Sequence, residues 1–196
     1  MSQLLDNLVG ELSRLQGVGR RSALRIALDI LRWDVDEADQ LAGAIYQFRR
    51  EVCRCERCNN ISDGVLCPIC ASSKRDRSIV CVVEGVGDLM SIESTGQYSG
   101  VYHVLGGVIS PISGITPSDL ALDKLERVVG EGEVREVIMA LPSTIEGETT
   151  QFYISRSLSS FGVRMSVISR GIGLGDELEY SDSLTIAHAL LNRREL

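Results

Sequence analysis

Long apolar runs are missing: nothing in this 196-residue chain approaches the roughly 18 consecutive apolar residues that a membrane-spanning helix needs. No membrane partner is expected. The first residues, Met-Ser-Gln-Leu-Leu-Asp, show no basic segment followed by an apolar one, so no secretory leader is expected and a cytoplasmic protein is. Lysine is nearly absent, with Lys74 and Lys124 the only two. Neither stands in a Gly-x4-Gly-Lys-[Ser/Thr] loop, which argues against P-loop nucleotide hydrolysis. Histidine is as scarce. His103 ends an apolar strand and reads as a satisfied near-core residue, and His188 lies in a helical stretch over 184–191 that could pack against a neighbouring subunit. With 44% hydrophobic residues, the chain can bury one substantial core plus a small satellite.

What is present is a cysteine pattern. Cys55, Cys58, Cys67 and Cys70 are spaced Cys-x2-Cys-x8-Cys-x2-Cys. Each pair can fold into a tight knuckle that aims two thiolates at one point, and two facing knuckles make the all-sulfur tetrahedron that Zn²⁺ accepts. Asn59, Asn60, Asp63, Gly64 and Pro68 supply the turns that so short a segment needs. Two disulfides are the rival reading, and they require an oxidising compartment. A closed shell of four thiolates leaves no open coordination position, so one structural Zn²⁺ per chain is expected, without chemistry of its own. Cys53 could compete through Cys53-x4-Cys58, but the symmetric knuckles are the better geometry. Cys81, in the apolar run Ile79-Val80-Cys81-Val82-Val83, reads as a small buried hydrophobe.

The net charge of −7 is unevenly spread: residues 1–77 hold 12 Lys+Arg and 11 Asp+Glu, whereas 78–196 hold 8 and 16. Arg14, Arg20, Arg21, Arg25 and Arg32 face only Asp29 within 14–32. A basic N-terminal element and an acidic body suggest polyanion contact at one end and a metal or basic partner at the other; solvated surface charge explains either half alone as well.

Leu4, Leu5, Leu8, Leu12 and Leu15 recur at helical spacing, as do Ala23, Ile26, Ala27, Ile30 and Leu31. Between the stripes lies Gly17-Val18-Gly19. Two glycines around an apolar residue, followed by a helix, let the backbone turn sharply with its N–H groups exposed, which suits a phosphate. This is the pattern of a helix-hairpin-helix, which grips DNA backbone without reading sequence. A Gly-x-Gly turn alone is only a helix stop, but Arg20, Arg21 and Arg25 supply the charge that phosphate contact needs. A third helix is expected over about 37–52, with Leu41, Ile45, Phe48 and Val52 inward. Arg49, Arg50, Arg54 and Arg57 follow and could extend the basic face.

Beyond Arg77 apolar strands alternate with helical stretches: strands at 79–83, 101–105, 134–141 and 163–169, helices near 88–94, 118–129 and 149–161. The alternation argues for a mostly parallel sheet covered on both faces, with ligands at the strands' carboxyl ends. Glu84, the turn Leu105-Gly106-Gly107, and Glu146-Gly147-Glu148 fall there. The carboxylates could hold Mg²⁺, weakly, or Glu146 and Glu148 could be helix N-terminal acids that satisfy the dipole.

The order of these features, with Tyr102-His103-Val104-Leu105-Gly106-Gly107-Val108-Ile109-Ser110-Pro111, Ile145-Glu146-Gly147-Glu148-Thr149-Thr150 and Gly171-Ile172-Gly173-Leu174-Gly175-Asp176-Glu177-Leu178-Glu179-Tyr180, resembles the RecR family of bacterial recombination mediators across essentially the whole chain. The resemblance implies an α/β protein with a helical N-terminal domain: a helix-hairpin-helix domain over 1–52, a four-cysteine zinc finger over 53–73, a Toprim domain (Rossmann-like, mostly parallel) over 78–173, and a Walker-B-like motif with a C-terminal helix over 174–196. It implies a homotetrameric ring able to encircle gapped, single- or double-stranded DNA. It further implies a nucleoid-associated factor that works with RecO and RecF to load RecA during recombinational repair, with Arg21 and Arg25 where the family places DNA-contacting residues. Arg20 departs from the proline common there, which adds charge but frees the turn's φ. Catalytic Toprim domains carry Asp-x-Asp just before Glu-Gly-Glu, and here those positions are Pro142 and Thr144. The two-metal carboxylate cradle is gone, so a non-catalytic clamp is expected. The alternative is a metal-dependent Toprim-type DNA-processing enzyme. Glu84, Glu146 and Glu148 then remain as a weak Mg²⁺ site or, in an acidic half, as a docking edge for RecO.

Overall fold

A computed structural model describes residues 2–169, 171, 172, 175 and 177–191. The chain divides into two compact units, Met1–Val52 and Cys53–Leu196.

The first unit holds three helices, α1 (Gln3–Leu12), α2 (Arg20–Ile30) and α3 (Val35–Glu51). Gly17, at φ +80°, turns the chain after α1 in a conformation that costs glycine little. Val9 of α1 packs on Ala23 and Ala27 of α2, with Leu5, Leu12 and Val18 against them. The two alanines, four residues apart on one face, let the helices approach closely. Asp34 caps α3 by accepting the Glu37 N–H at 2.9 Å. Asp36 and Glu37 in its first turn, with Arg49 and Arg50 in its last, complement the helix dipole.

Burial in this unit departs from the stripes. Leu4, Leu8, Leu15 and Leu31 are exposed, and so are Leu41, Ile45 and Phe48 of α3, which buries none of its residues. Periodicity identifies an apolar face but not what covers it. The small residues of α2 claim the contact with α1, and the leucines around them remain outside.

The second unit opens with the cysteine segment. Strand β1 (Cys53–Arg54) pairs antiparallel with β2 (Ile61–Ser62), and a single turn, α4 (Pro68–Ala71), follows with Pro68 at its start. Then come β3 (Asp76–Val83), α5 (Val86–Ser94), β4 (Gly100–Val104), α6 (Leu122–Gly130), β5 (Glu136–Ala140), α7 (Ile145–Ser157) and β6 (Arg164–Val167). The strands form one parallel sheet in the order β4-β3-β5-β6. The pleat sorts alternate residues to opposite faces. Val80, Val82, Val137 and Met139 join Leu125, Val129 and Ile154 in the larger core, and Cys81, Val83 and Ala140 join Leu89 and Tyr102 in the smaller one. The sheet is thus covered on both faces, as expected.

Several bounds shift by a few residues from the sequence reading, among them the start of α6 at Leu122 rather than 118, and two of the shifts have a clear physical cause. Strand β3 starts at Asp76, earlier than the apolar run, because Arg75 anchors its entry: the guanidinium donates to both Glu93 oxygens and to the carbonyls of Tyr98 and Gly100 at 3.2 and 3.3 Å. Helix α7 starts at Ile145, four residues before the expected 149. Thr144 caps it by accepting the Gly147 N–H at 3.1 Å, and Gly147 brings its first turn so near the preceding loop that a Cβ there would lie 2.1 Å from the Pro142 carbonyl oxygen. Past the sheet, α8 (Ser183–Leu191) matches the expected terminal helix. Parts of the Gly171–Gly175 motif and the side chain of His188 lie outside the described residues. Among the described residues, no helix is long and apolar enough to cross a membrane.

Candidate metal knuckle and nucleic-acid-binding face

The four motif cysteines come together. Their sulfurs all lie within 4.8 Å of one another, all four residues are buried, and none forms a disulfide. Cys58 Sγ stands 3.6 Å from Cys67 Sγ, near the edge of about 3.8 Å that Zn–S bonds of about 2.3 Å would give a tetrahedron. Local turns create the convergence. The Asn59 N–H donates to Cys55 O at 3.0 Å, the Cys55 N–H to Asn60 O at 2.7 Å, and the Ala71 N–H to Cys67 O at 3.0 Å, which closes both knuckles. Asn59 is the one non-glycine residue at positive φ, +62°, among the described residues. It occupies the left-handed corner after the second cysteine, a conformation asparagine tolerates better than most.

The thiols are electrostatically unequal. Burial would raise the pKa of Cys55, but N–H groups of Cys67, Cys58 and Arg57 bring it down to about 7. Hydrogen bonding with the Cys70 thiol, then burial, pushes Cys58 up, and burial raises Cys67. Four thiolates this close repel one another unless a cation sits among them, and a soft, divalent, tetrahedral ion such as Zn²⁺ suits the donor set. Cys53 stays outside, with its thiol donating to the Ser62 and Gly64 carbonyls at 3.2 Å each. Buried Cys81 has its pKa pushed up to about 12 by burial, as fits an inert core thiol.

The acidic candidates sit at the carboxyl edge of the sheet. Val83 is in register with Ala140, so Glu84 and the loop before α7 share that edge. Glu146 and Glu148 occupy the first turn of α7, which gives them the dipole-satisfying position. Glu84 is half-buried, and burial with nearby Asp88 raises its pKa. Among the described residues, the four cysteines are the only group of three or more metal-ligating side chains within such mutual reach; the three glutamates do not make one. His103 is buried, its Nε2 2.8 Å from Ala121 O, and burial lowers its pKa to about 4, as a neutral core histidine.

On the helical unit, Gly19 is the N-cap of α2, and the first α2 bond runs from the Ala23 N–H to Gly19 O at 2.9 Å. The N–H groups of Arg20, Arg21 and Ser22 therefore precede the helical ladder and point outward from its positive end. Arg21, Arg25 and Arg32 line one shallow groove along α2 with Leu24, Leu28 and Asp29. Arg32, outside the expected DNA-binding set, belongs to this groove by helical spacing from Arg21 and Arg25. Arg14 is committed to Glu11 at 2.7 Å. Arg57, expected to extend the basic face, instead pairs with Glu131 at 2.9 Å and Glu133 at 3.7 Å. Acids about 75 residues further along are invisible to local spacing.

Comparison with known proteins matches this architecture segment by segment. The family models for the RecR helix-hairpin-helix, the RecR four-cysteine zinc finger domain, the Toprim domain and the RecR C-terminal region match residues 5–49, 52–72, 78–169 and 171–194. The recombination protein RecR of Parabacteroides distasonis is 54% identical over 194 residues, covering 99% of this chain and 93% of that protein. The Bacteroides thetaiotaomicron protein of the same name is 51% identical over 98% of this chain and 94% of its own length. That of Flavobacterium psychrophilum is 48% identical over 98% and 93%. The chain belongs to the RecR family.

Proposed function

We propose that this chain is a non-catalytic recombination mediator: a DNA-binding clamp that assembles into a ring and acts with RecO and RecF to load RecA on gapped or single-stranded DNA. The observation that carries the reading is the α2 groove, where Arg21, Arg25 and Arg32 line one face beside the open N–H groups after Gly19, in a chain whose relatives are named recombination proteins. Backbone N–H donors and guanidinium groups on one face bind phosphate without reading bases. Zinc, held by Cys55, Cys58, Cys67 and Cys70, is structural. The exposed Leu41, Ile45 and Phe48 stripe of α3 supports assembly, since an apolar face of this kind calls for a partner surface.

The acidic edge of Glu84, Glu146 and Glu148 is the docking surface for RecO. An acidic edge repels DNA and attracts a basic partner. Pro142 and Thr144 offer no carboxylate where a catalytic Toprim domain has its aspartates, so Mg²⁺ chemistry lacks its cradle. The test is RecA assembly on gapped DNA coated with single-strand-binding protein, in the presence of RecO and RecF. Wild type should accelerate loading, Arg21→Ala/Arg25→Ala should not, and Glu146→Gln should lose RecO affinity while keeping its own DNA binding. Mg²⁺-dependent cleavage of DNA that Glu146→Gln abolishes, with RecO affinity intact, would establish the enzyme reading instead.

A further inference from the structure

We propose that the metal knuckle is the edge cap of the parallel sheet, and that Asn59 links metal occupancy to the position of the Leu105-Gly106-Gly107 turn and the Glu84 backbone. Strand β4 is an outer strand of the sheet, and an outer strand leaves backbone donors and acceptors unpaired. The knuckle meets that need at Val104. Its N–H donates to Cys58 O at 2.8 Å, and its carbonyl accepts from Asn59 Nδ2 at 2.9 Å, across 45 residues of chain. Cys58 and Asn59 together thus present one acceptor and one donor, as a single residue of an added strand would.

The contact continues inward. The Leu105 N–H donates to Val83 O at 3.0 Å and the Gly106 N–H to Glu84 O at 2.9 Å. Lys124 Nζ holds the other side of the corner, donating to Cys55 O at 3.3 Å and Asn59 Oδ1 at 3.4 Å. A continuous set of hydrogen bonds therefore runs from the second cysteine, through Val104 and the glycine turn, to the backbone of Glu84. This explains the residue at position 59. A left-handed corner at φ +62° is easiest for glycine; asparagine tolerates it better than most other residues, and its side chain adds the two tertiary contacts that glycine could not make.

The proposal rests on the zinc reading of the four cysteines, which elemental analysis of the wild type decides by itself. Its own test is amide exchange by NMR, with metal release timed by a chromogenic zinc indicator. Stripping zinc from the wild type with a chelator should speed exchange at Val104 and Gly106 by at least roughly tenfold, the signature of a local opening, while Val137 and Ile138 of β5 stay protected. Zinc-loaded Asn59→Gly, which fits the corner, should keep one zinc per chain yet exchange at the same two amides roughly two- to tenfold faster, the yield of one net hydrogen bond. By reciprocity of coupled sites it should also release zinc faster by a similar factor. Lys124→Met, outside the cysteine loop, should move both readouts in the same direction and provides the test if Asn59→Gly folds poorly. Exchange at Val104 and Gly106 indifferent to zinc, or Asn59→Gly and Lys124→Met both behaving like wild type in exchange and release, would overturn the link.

Discussion

The helical unit Met1–Val52 and the body Cys53–Leu196 use their apolar residues in opposite ways. The first buries little more than Val9, Ala23 and Ala27 and leaves Leu4, Leu31, Ile45 and Phe48 outside. The second buries two valine-rich layers around a parallel sheet and closes its ends with side-chain ties: Arg75 at the entry to β3, Asn59 beside β4, Arg57 onto Glu131. Charge divides the same way. Arg21, Arg25 and Arg32 line a groove along α2 that Arg20 does not reach, whereas Arg57 and Arg75 of the body are paired with acids. The difference teaches that cationic side chains do two jobs here. Paired ones tie the body together, and Arg21, Arg25 and Arg32, which make no ion pair among the described residues, are those that the proposed function assigns to DNA phosphate.

The contrast is broken most severely at the metal. Cys58→Ala should lose zinc, and because structural zinc contributes on the order of 10 kcal/mol of apparent binding energy at neutral pH, the segment around the cysteines should unfold. Limited proteolysis between 53 and 73 with elemental analysis reads this, and amide protection in α1 and α2 should persist. Full zinc content in the variant would contradict the four-ligand assignment. A smaller blow to the body is Gly147→Ala. Its Cβ would meet the Pro142 carbonyl oxygen at 2.1 Å, and forcing an atom into so close a contact should cost about 3 kcal/mol in a denaturant titration. An unchanged midpoint would mean that α7 can back away from the loop freely.

Most of the body is legible in the chain because its signals are local. Apolar-rich stretches of five to eight residues between helical ones give strands β3 to β6, and the spacing of Cys55, Cys58, Cys67 and Cys70 brings four sulfurs together. What escapes is set by distance in sequence or by ambiguity of chemistry. The first turn of α7 looks like a loop because Glu146-Gly147-Glu148 contains a glycine; the Thr144 cap and the close approach to Pro142 make it helix. Arg57 reads as part of a basic cluster until Glu131 and Glu133 arrive from elsewhere. Asn59 reads as a turn former, and its bond to Val104 has no local signature at all. In the helical unit the stripes identify which residues are apolar, but Leu41, Ile45 and Phe48 have no cover within that unit, and the inward face that their spacing predicts is outward there.

Removing one of the body's ionic ties is a milder test. Arg75→Met deprives Glu93 of its partner and frees two carbonyls, and should cost about 2 kcal/mol, as charge-assisted hydrogen bonds do. Hydrogen bonding from Arg75 holds the Glu93 carboxyl below its ordinary 4.5. The wild type's advantage over the variant is therefore complete above that pH and shrinks as the pH falls through the lowered value. Paired denaturant titrations at neutral and acid pH check it, and an advantage that grew in acid would reverse the sign assigned to this pair.

The smallest change in energy bears on the central claim, that the groove arginines of the helical unit carry DNA binding while the acidic body does not. The measurement is the slope of log K against log [salt] for single-stranded DNA, compared among wild type, Arg21→Ala/Arg25→Ala and Glu146→Gln. Each lost phosphate contact should flatten the slope by roughly 0.7 on a single strand, so the double variant should lose roughly 1.4 while Glu146→Gln leaves the slope unchanged. A double variant with wild-type affinity and slope would contradict the account and move the DNA-binding face off α2.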